Sequence, residues 1–200
     1  MRKLKLLPAG LMLCMLCLAP AQVLAQGGLL TDYSFETTDL TGNGGWTLIG
    51  NTQEAYTASL SSTVSYNGSK SLYFPSAISW NISYVRSDTM PVLPSTAYSA
   101  AIDVYDTVTA LAEAGLRMVW YDSGMNYLSS DNNMSGISAQ SVWHRFKLEN
   151  VTSPSNAAYC ALEIDATNME LVGTVHLFVD CATFVQATTA VENWKTIKER

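Results

Sequence analysis

From residue 26 onward, apolar and polar positions alternate in short runs rich in Val, Ile, Tyr, Thr and Trp, separated by clusters of Gly, Asn, Ser and Pro. A repeat of two sends successive side chains to opposite faces of an extended chain, so each run reads as a strand with one face toward a core. The clearest are Trp46 to Gly50, Ser71 to Phe74, Ile78 to Arg86, Ala97 to Tyr105, Gly115 to Tyr121, Val142 to Leu148, Ala158 to Asp165 and Thr174 to Val185. In the Ala97 run, Tyr98, Ala100, Ile102 and Val104 share one face, and Ser99, Asp103 and Tyr105 fall on the other. Turn-forming stretches such as Asn43-Gly44-Gly45, Asn67-Gly68-Ser69, Asp122-Ser123-Gly124 and Ser153-Pro154-Ser155 lie between the runs. The pattern predicts an all-β, two-sheet antiparallel β-sandwich. Helical signal is confined to a turn near Thr109 to Glu113 and to the C-terminal stretch, where Val191, Trp194 and Ile197 recur every three residues among charges.

The first residues break this pattern. Met1 to Lys5 are basic, Leu6 to Pro20 form an apolar run, and Val23-Leu24-Ala25 places short residues where a signal peptidase reads them. The run is interrupted by Pro8 and Gly10 and falls short of the ~20 apolar residues of a membrane span. Residues 1–25 therefore read as a signal peptide, 26–188 as one domain, and 189–200 as a tail or short helix. The protein is expected to be secreted, extracellular or periplasmic, with no membrane insertion.

Losing that leader leaves eight basic against seventeen acidic residues, a net charge of −9. An acidic surface disfavours nucleic acid and anionic membrane, both of which require clustered Lys and Arg. Neutral glycans remain compatible. Cys160 and Cys181 survive cleavage into a compartment that oxidises thiols, and a disulfide between them is the expectation; two separate buried thiols are the alternative.

Seven short motifs add a resemblance. They are Leu29-Leu30-Thr31-Asp32-Tyr33-Ser34-Phe35-Glu36, Gly45-Trp46, the hairpin Tyr66 to Leu72, Pro94 to Ser99, Val119-Trp120-Tyr121-Asp122, Trp143-His144-Arg145-Phe146, and Phe178-Val179-Asp180-Cys181-Ala182. In this order they resemble the jelly-roll carbohydrate-binding modules of the galactose-binding-domain-like fold, families four, nine and twenty-two in particular. The likeness spans nearly the whole chain after the leader.

That resemblance implies a structural calcium ion joining the opening and closing strands. Glu36 and Asp180 would supply carboxylates, the opening strand and the Gly68 to Ser71 hairpin, including Lys70, would supply carbonyls, and Asp32 would contribute at a position where the family often has Asn. Calcium takes 6–8 oxygen ligands, which suits such a set. The alternative is that Glu36 pairs with Lys70 while Asp180 caps a turn. Cys181 departs from the family's second Asp and removes a ligand there.

The resemblance also implies a polysaccharide partner, recognised by exposed aromatic rings that stack on the apolar faces of sugars while polar side chains bond their hydroxyls. Trp46, Trp120 and Trp143 coincide with family positions that are usually core. The candidates for the sugar surface are Trp80, Tyr84, Arg86 and Tyr121, with Asn126 and Tyr127 from the loop after Gly124. A groove on a sheet face and the loop tips both remain open as its location.

Catalysis is not expected. The chain has no G-x-S-x-G elbow and no H-E-x-x-H helix. The carboxylate pairs Asp103/Asp106 and Glu163/Asp165 read as solvated strand edges. A different class stays open: a structural or adhesive surface protein that uses the same sandwich, or the Trp194 tail, to hold a protein partner.

Overall fold

The structure is a computed structural model that describes residues 28–50, 58–74, 83–107, 112–136, 141–168 and 176–187. Eleven strands are present and no helix occurs among the described residues. In chain order they are β1 (Trp46–Gly50), β2 (Ser59–Ser61), β3 (Ser71–Phe74), β4 (Ser83–Ser87), β5 (Met90–Pro91), β6 (Ala97–Asp106), β7 (Ala112–Tyr121), β8 (Tyr127–Gly136), β9 (Trp143–Thr152), β10 (Tyr159–Asn168) and β11 (Leu177–Gln186). One sheet runs β1-β4-β10-β7-β8, with β5 also paired to β10, and the other runs β2-β3-β11-β6-β9. All strand pairings are antiparallel. The predicted two-sheet sandwich is therefore the fold.

The inner faces follow from the alternation. Val85, Leu116, Met118, Trp120, Leu162 and Ile164 from the first sheet meet Leu72, Tyr98, Ile102, Val104, Val179 and Phe184 from the second, all buried. Tyr98 stacks on Phe184 at 5.2 Å and lies 5.9 Å from Trp120, while its hydroxyl accepts the Leu93 N–H at 2.7 Å. Trp46 and Trp120 are core residues, as their positions implied.

The opening segment is not a strand. Asp32 folds it into turns by accepting the N–H groups of Glu36, Thr37 and Thr38 at 2.8, 2.8 and 2.6 Å. The segment meets β11 at Gly28, in an isolated bridge to Phe184, through the Leu29 N–H to the Phe184 carbonyl, and through the Ala182 N–H to the Tyr33 carbonyl, the last two at 2.9 Å. A Cβ at Gly28 would lie 2.2 Å from the Phe184 carbonyl oxygen, so only glycine permits that approach.

Cys160 and Cys181 are both free and buried, and the expected disulfide is corrected. Alternation along β10 points Cys160 into the core. Cys181 sits in the β-bulge between Asp180 and Thr183 of the opposite sheet, with Asp180, Asp103 and Arg145 as its charged neighbours. Burial pushes the Cys181 thiol up to about 12 and the Cys160 thiol higher still, leaving neither reactive in the fold. Residues 1–27, Trp80 and the tail from 188, with Trp194, lie outside the described residues.

Candidate functional site

The site is built on the outer face of the first sheet. In β4, Val85 points inward, so Tyr84 and Arg86 point out; in β10, Leu162 and Ile164 point inward, so Glu163 and Asp165 point out. In β7 the same rule turns Gly115, Arg117, Val119 and Tyr121 outward. Register then brings them together. Glu163 lies between Arg86 of β4 and Arg117 of β7, and that row continues to Thr47 of β1 and Asn132 of β8. The next row holds Tyr84, Asp165 and Gly115. Toward the other end, Tyr159 of β10, Tyr121 of β7 and Tyr127 of β8 lie side by side.

Glu163 is the hub. Its Oε1 accepts Arg86 Nε and Nη2 at 2.9 and 2.6 Å, and its Oε2 accepts Arg117 Nη1 at 3.0 Å. Its side chain is 5% exposed, whereas those of Arg86 and Arg117 are 32% and 33% exposed, so both guanidinium groups keep a solvent-facing edge. Arg86 also lies over the Tyr84 ring, 5.7 Å from its centre.

Asp165 is the unusual member. Its Oδ2 is 3.6 Å from Arg117 Nη2, but its buried Oδ1 accepts no hydrogen bond from any described residue. A Cβ at Gly115 would lie 1.5 Å from Oδ1, so the missing side chain of Gly115 is the room Asp165 occupies. Burial raises the Asp165 carboxyl above its usual range; Arg117 partly offsets this and Glu163 adds to it. Leaving a buried acceptor unpaired costs about 1–3 kcal/mol, and this atom lies against the sheet over Gly115, beneath the face that a ligand would meet.

Glu163 and Asp165 are thus not solvated strand edges. They sit on the strand at the middle of the sheet, where neighbouring side chains cover them, and within this cluster two arginines stand against two carboxylates. Of the sugar-surface candidates, Tyr84, Arg86, Tyr121 and Tyr127 share this face. Tyr127 is 63% exposed, and burial raises the Tyr121 hydroxyl. Asn126 serves a different purpose, closing the turn before β8 through bonds from its main-chain N–H and Nδ2 to Asp122. Arg117, Glu163 and Asp165 complete the face. Their signal was present in the sequence, as charged residues alternating with Leu162, Ile164 and Leu116.

The calcium candidates converge on the hairpin before β3. Asp180 Oδ2 accepts the N–H groups of Tyr66 and Asn67 at 2.7 and 2.9 Å, and its Oδ1 accepts the Cys181 N–H at 2.7 Å. Glu36 Oε1 accepts the N–H groups of Ser69 and Lys70 at 2.9 and 2.8 Å, and Oε2 accepts Ser69 Oγ at 2.7 Å. Lys70 Nζ donates to the Glu36 carbonyl at 2.8 Å. Asp32 is engaged within its own turn. The hairpin therefore offers amide donors where a calcium ion needs oxygens, and a lysine ammonium already holds the carbonyl. As arranged, this donor set does not fit the ion; Asp180 caps a turn and Glu36 engages Lys70.

The β-sandwich has a fold like that of solved carbohydrate-binding modules. Three solved structures make the likeness concrete. A family 61 module, TmCBM61, in complex with β-1,4-galactotriose, matches at a TM-score of 0.56 and 12% identity over 80% of this chain and 98% of that one. The C-terminal family 22 module of Clostridium thermocellum Xyn10B matches at 0.51 and 16% over 80% and 98%. The CBM22-1 xylan-binding domain of Paenibacillus barcinonensis Xyn10C matches at 0.52 and 16% over 79% and 94%. No known family profile and no curated protein sequence matches the chain.

Proposed function

We propose that this protein is a non-catalytic, exported glycan-binding module that holds a neutral polysaccharide across the outer face of the β1-β4-β10-β7-β8 sheet. The observation that carries the reading is the Glu163 hub, which fixes Arg86 and Arg117 while each keeps a solvent-facing edge. It lies beside a set of outward tyrosines. Sugar hydroxyls supply acceptors for the outer edges of Arg86 and Arg117, while Tyr84, Tyr121 and Tyr127 offer ring surface to pyranose C–H groups. Because the two arginines are already balanced by Glu163 and Asp165, the cluster has no surplus charge to hold a uronate, which favours neutral chains. The galactotriose complex and the xylan-binding domain name the polymers to try first. Export rests on the basic and then apolar character of residues 1–25.

Affinity electrophoresis of the mature protein against β-1,4-galactan, xylan, mannan and pectin tests the reading. Retardation by a neutral polymer, weakened about tenfold or more in Asp165→Asn, is the expected result, since Asp165 braces Arg117 and a hydrogen bond to a charged group contributes ~1.5–3 kcal/mol. Migration unaffected by every polymer would overturn it.

A further inference from the structure

The opposite sheet carries a second surface that the reading above does not use. On its outer face one residue from each of four adjacent strands stands in register: Tyr73 of β3, Phe178 of β11, Tyr105 of β6 and Trp143 of β9. The sequence motif placed Trp143 in the core; β9 instead turns Phe146 and Leu148 inward and Trp143 outward, where it is half-buried. His176 extends the row at one end, stacked on Tyr73 with its Nδ1 bonded to the Tyr73 hydroxyl. Tyr66 extends it at the other, 58% exposed and packed at 5.4 Å against Trp143. From His176 to Tyr66, successive ring centres lie 5.7, 4.9, 6.4, 5.3 and 5.4 Å apart.

We infer that the Tyr105, Trp143 and Tyr66 end of this row is a second glycan-binding surface, taking a neutral chain of pyranose rings that lies across the strands. The inference rests on the glycan-binding reading of the protein. Cross-strand aromatic pairs strengthen any sheet, and the stacked trio His176, Tyr73 and Phe178 needs no further explanation. The other end differs. Its pairs are edge-on or tilted, at 67°, 47° and 65°, so at least one ring of each pair keeps its faces out of the contact. Tyr66 comes from a loop, not a strand, and Asp180 fixes that loop by accepting its Tyr66 and Asn67 N–H groups. The next row on the same face is polar. Arg145 of β9 binds Asp103 of β6 at 2.6 Å and keeps 28% of its side chain exposed, placing a donor beside the rings. Ring faces beside a hydrogen-bonding row are what a pyranose requires. A protein partner requires more: the four strand positions of the row span about 14 Å at ~4.8 Å per strand and the row is one ring wide, far short of the ~800 Å² per side of a stable interface.

The test uses mature wild type, Asp165→Asn, Trp143→Ala, Tyr66→Ala and the Asp165→Asn/Trp143→Ala double variant, with β-1,4-galactan and xylan as probes. Tyr66 lies in an exposed loop, so Tyr66→Ala remains informative if Trp143→Ala fails to fold. Each variant is read by affinity electrophoresis and by turbidity of the soluble polymer, which a two-faced module cross-links. The expected result is that wild type clouds the polymer that retards it, and that each single variant loses the turbidity. Asp165→Asn should keep residual retardation that Trp143→Ala removes, a loss of about tenfold or more for an aromatic anchor. Complete loss of retardation in Asp165→Asn alone would overturn this inference and leave the first surface standing. Dimerisation of wild type that Trp143→Ala abolishes would also overturn it, by assigning the row to a second copy of the chain. If no polymer retards wild type, both readings fall.

Discussion

Gly115→Ala isolates the geometry of the first surface, because it adds one methyl group to a residue that itself makes no contact through a side chain. The new Cβ would lie 1.5 Å from Asp165 Oδ1, 2.6 Å from Cγ and 3.2 Å from Oδ2, against an ordinary van der Waals separation of 3.4–4 Å. Asp165 must therefore leave its rotamer, and Arg117 loses its second carboxylate at 3.6 Å. Overpacking of this kind costs ~1–3 kcal/mol, and at about 2–4 °C per kcal/mol for a domain of this size the melting temperature should fall by roughly 2–12 °C. Polysaccharide affinity should fall further, by about tenfold to a hundredfold, because Arg117, which is assigned to the ligand, loses the carboxylate that braces it. Gly136→Ala is the control: its Cβ would meet nothing within 4 Å. Removing the clash should also remove the damage, so Gly115→Ala/Asp165→Ala should be no less stable than Asp165→Ala alone, a strongly non-additive cycle. Calorimetry and affinity electrophoresis read the two effects separately. If Gly115→Ala melts and binds like wild type, or adds its cost in full to Asp165→Ala, the seating of Asp165 over Gly115 is wrong.

Asp165→Asn keeps the volume and removes the charge. Because burial raises the carboxyl in the fold, wild type binds the proton more tightly folded than unfolded; its penalty is absent below the unfolded value of about 3.9 and grows as pH rises through the raised one. Melting curves from acid to neutral pH should show the variant gaining on wild type as pH increases, and parallel curves would contradict the assignment. Asp180→Ala strands the N–H groups of Tyr66, Asn67 and Cys181 and should lower stability by at least about 2 kcal/mol in denaturant melts; a change within ~0.5 kcal/mol would show that water replaces the cap. Calcium at about 1 mM should leave the melting temperature where chelator leaves it, and a rise with calcium would show that the Glu36 and Asp180 carboxylates exchange their amide donors for the ion. Reductant should likewise leave the melt unchanged, with Cys160 and Cys181 alkylated only after unfolding; a reductant-sensitive transition would restore the disulfide.

All eight strands anticipated from alternation are present among the described residues, with ends that differ by a few residues where those ends are described, and two more, β2 and β5, are too short to leave a period. β8 was illegible for another reason. Its sequence, Tyr127 to Gly136, is mostly Ser, Asn and Asp, and it pairs only with β7 at the edge of its sheet, so nothing required an apolar face. The site was partly legible. Tyr84, Arg86, Tyr121 and Tyr127 emerged as outward aromatics and a cation, but Glu163 and Asp165 were discounted because a single strand does not reveal that it will lie at the middle of a sheet. Asn126 misled because a side chain following Asp122 is as well suited to closing a turn as to meeting a ligand. For Trp143 the local pattern was right and the motif wrong: counting by twos from Phe146 already places it outside.

The two strands nearest the C-terminus, β10 and β11, are also the ones that hold each sheet together. β10 lies between β4 and β7, and β11 between β3 and β6, so without them the first sheet is a β1-β4 pair and a β7-β8 pair, and the second is a β2-β3 pair and a β6-β9 pair. Isolated two-stranded pieces are at best marginal in water. Neither half of the molecule can therefore be completed early, and folding must await closure of contacts widely separated along the chain, a topology associated with slow folding. During synthesis both sheets stay unfinished until β10 and β11 emerge, and then both layers become complete within the span of a few dozen residues.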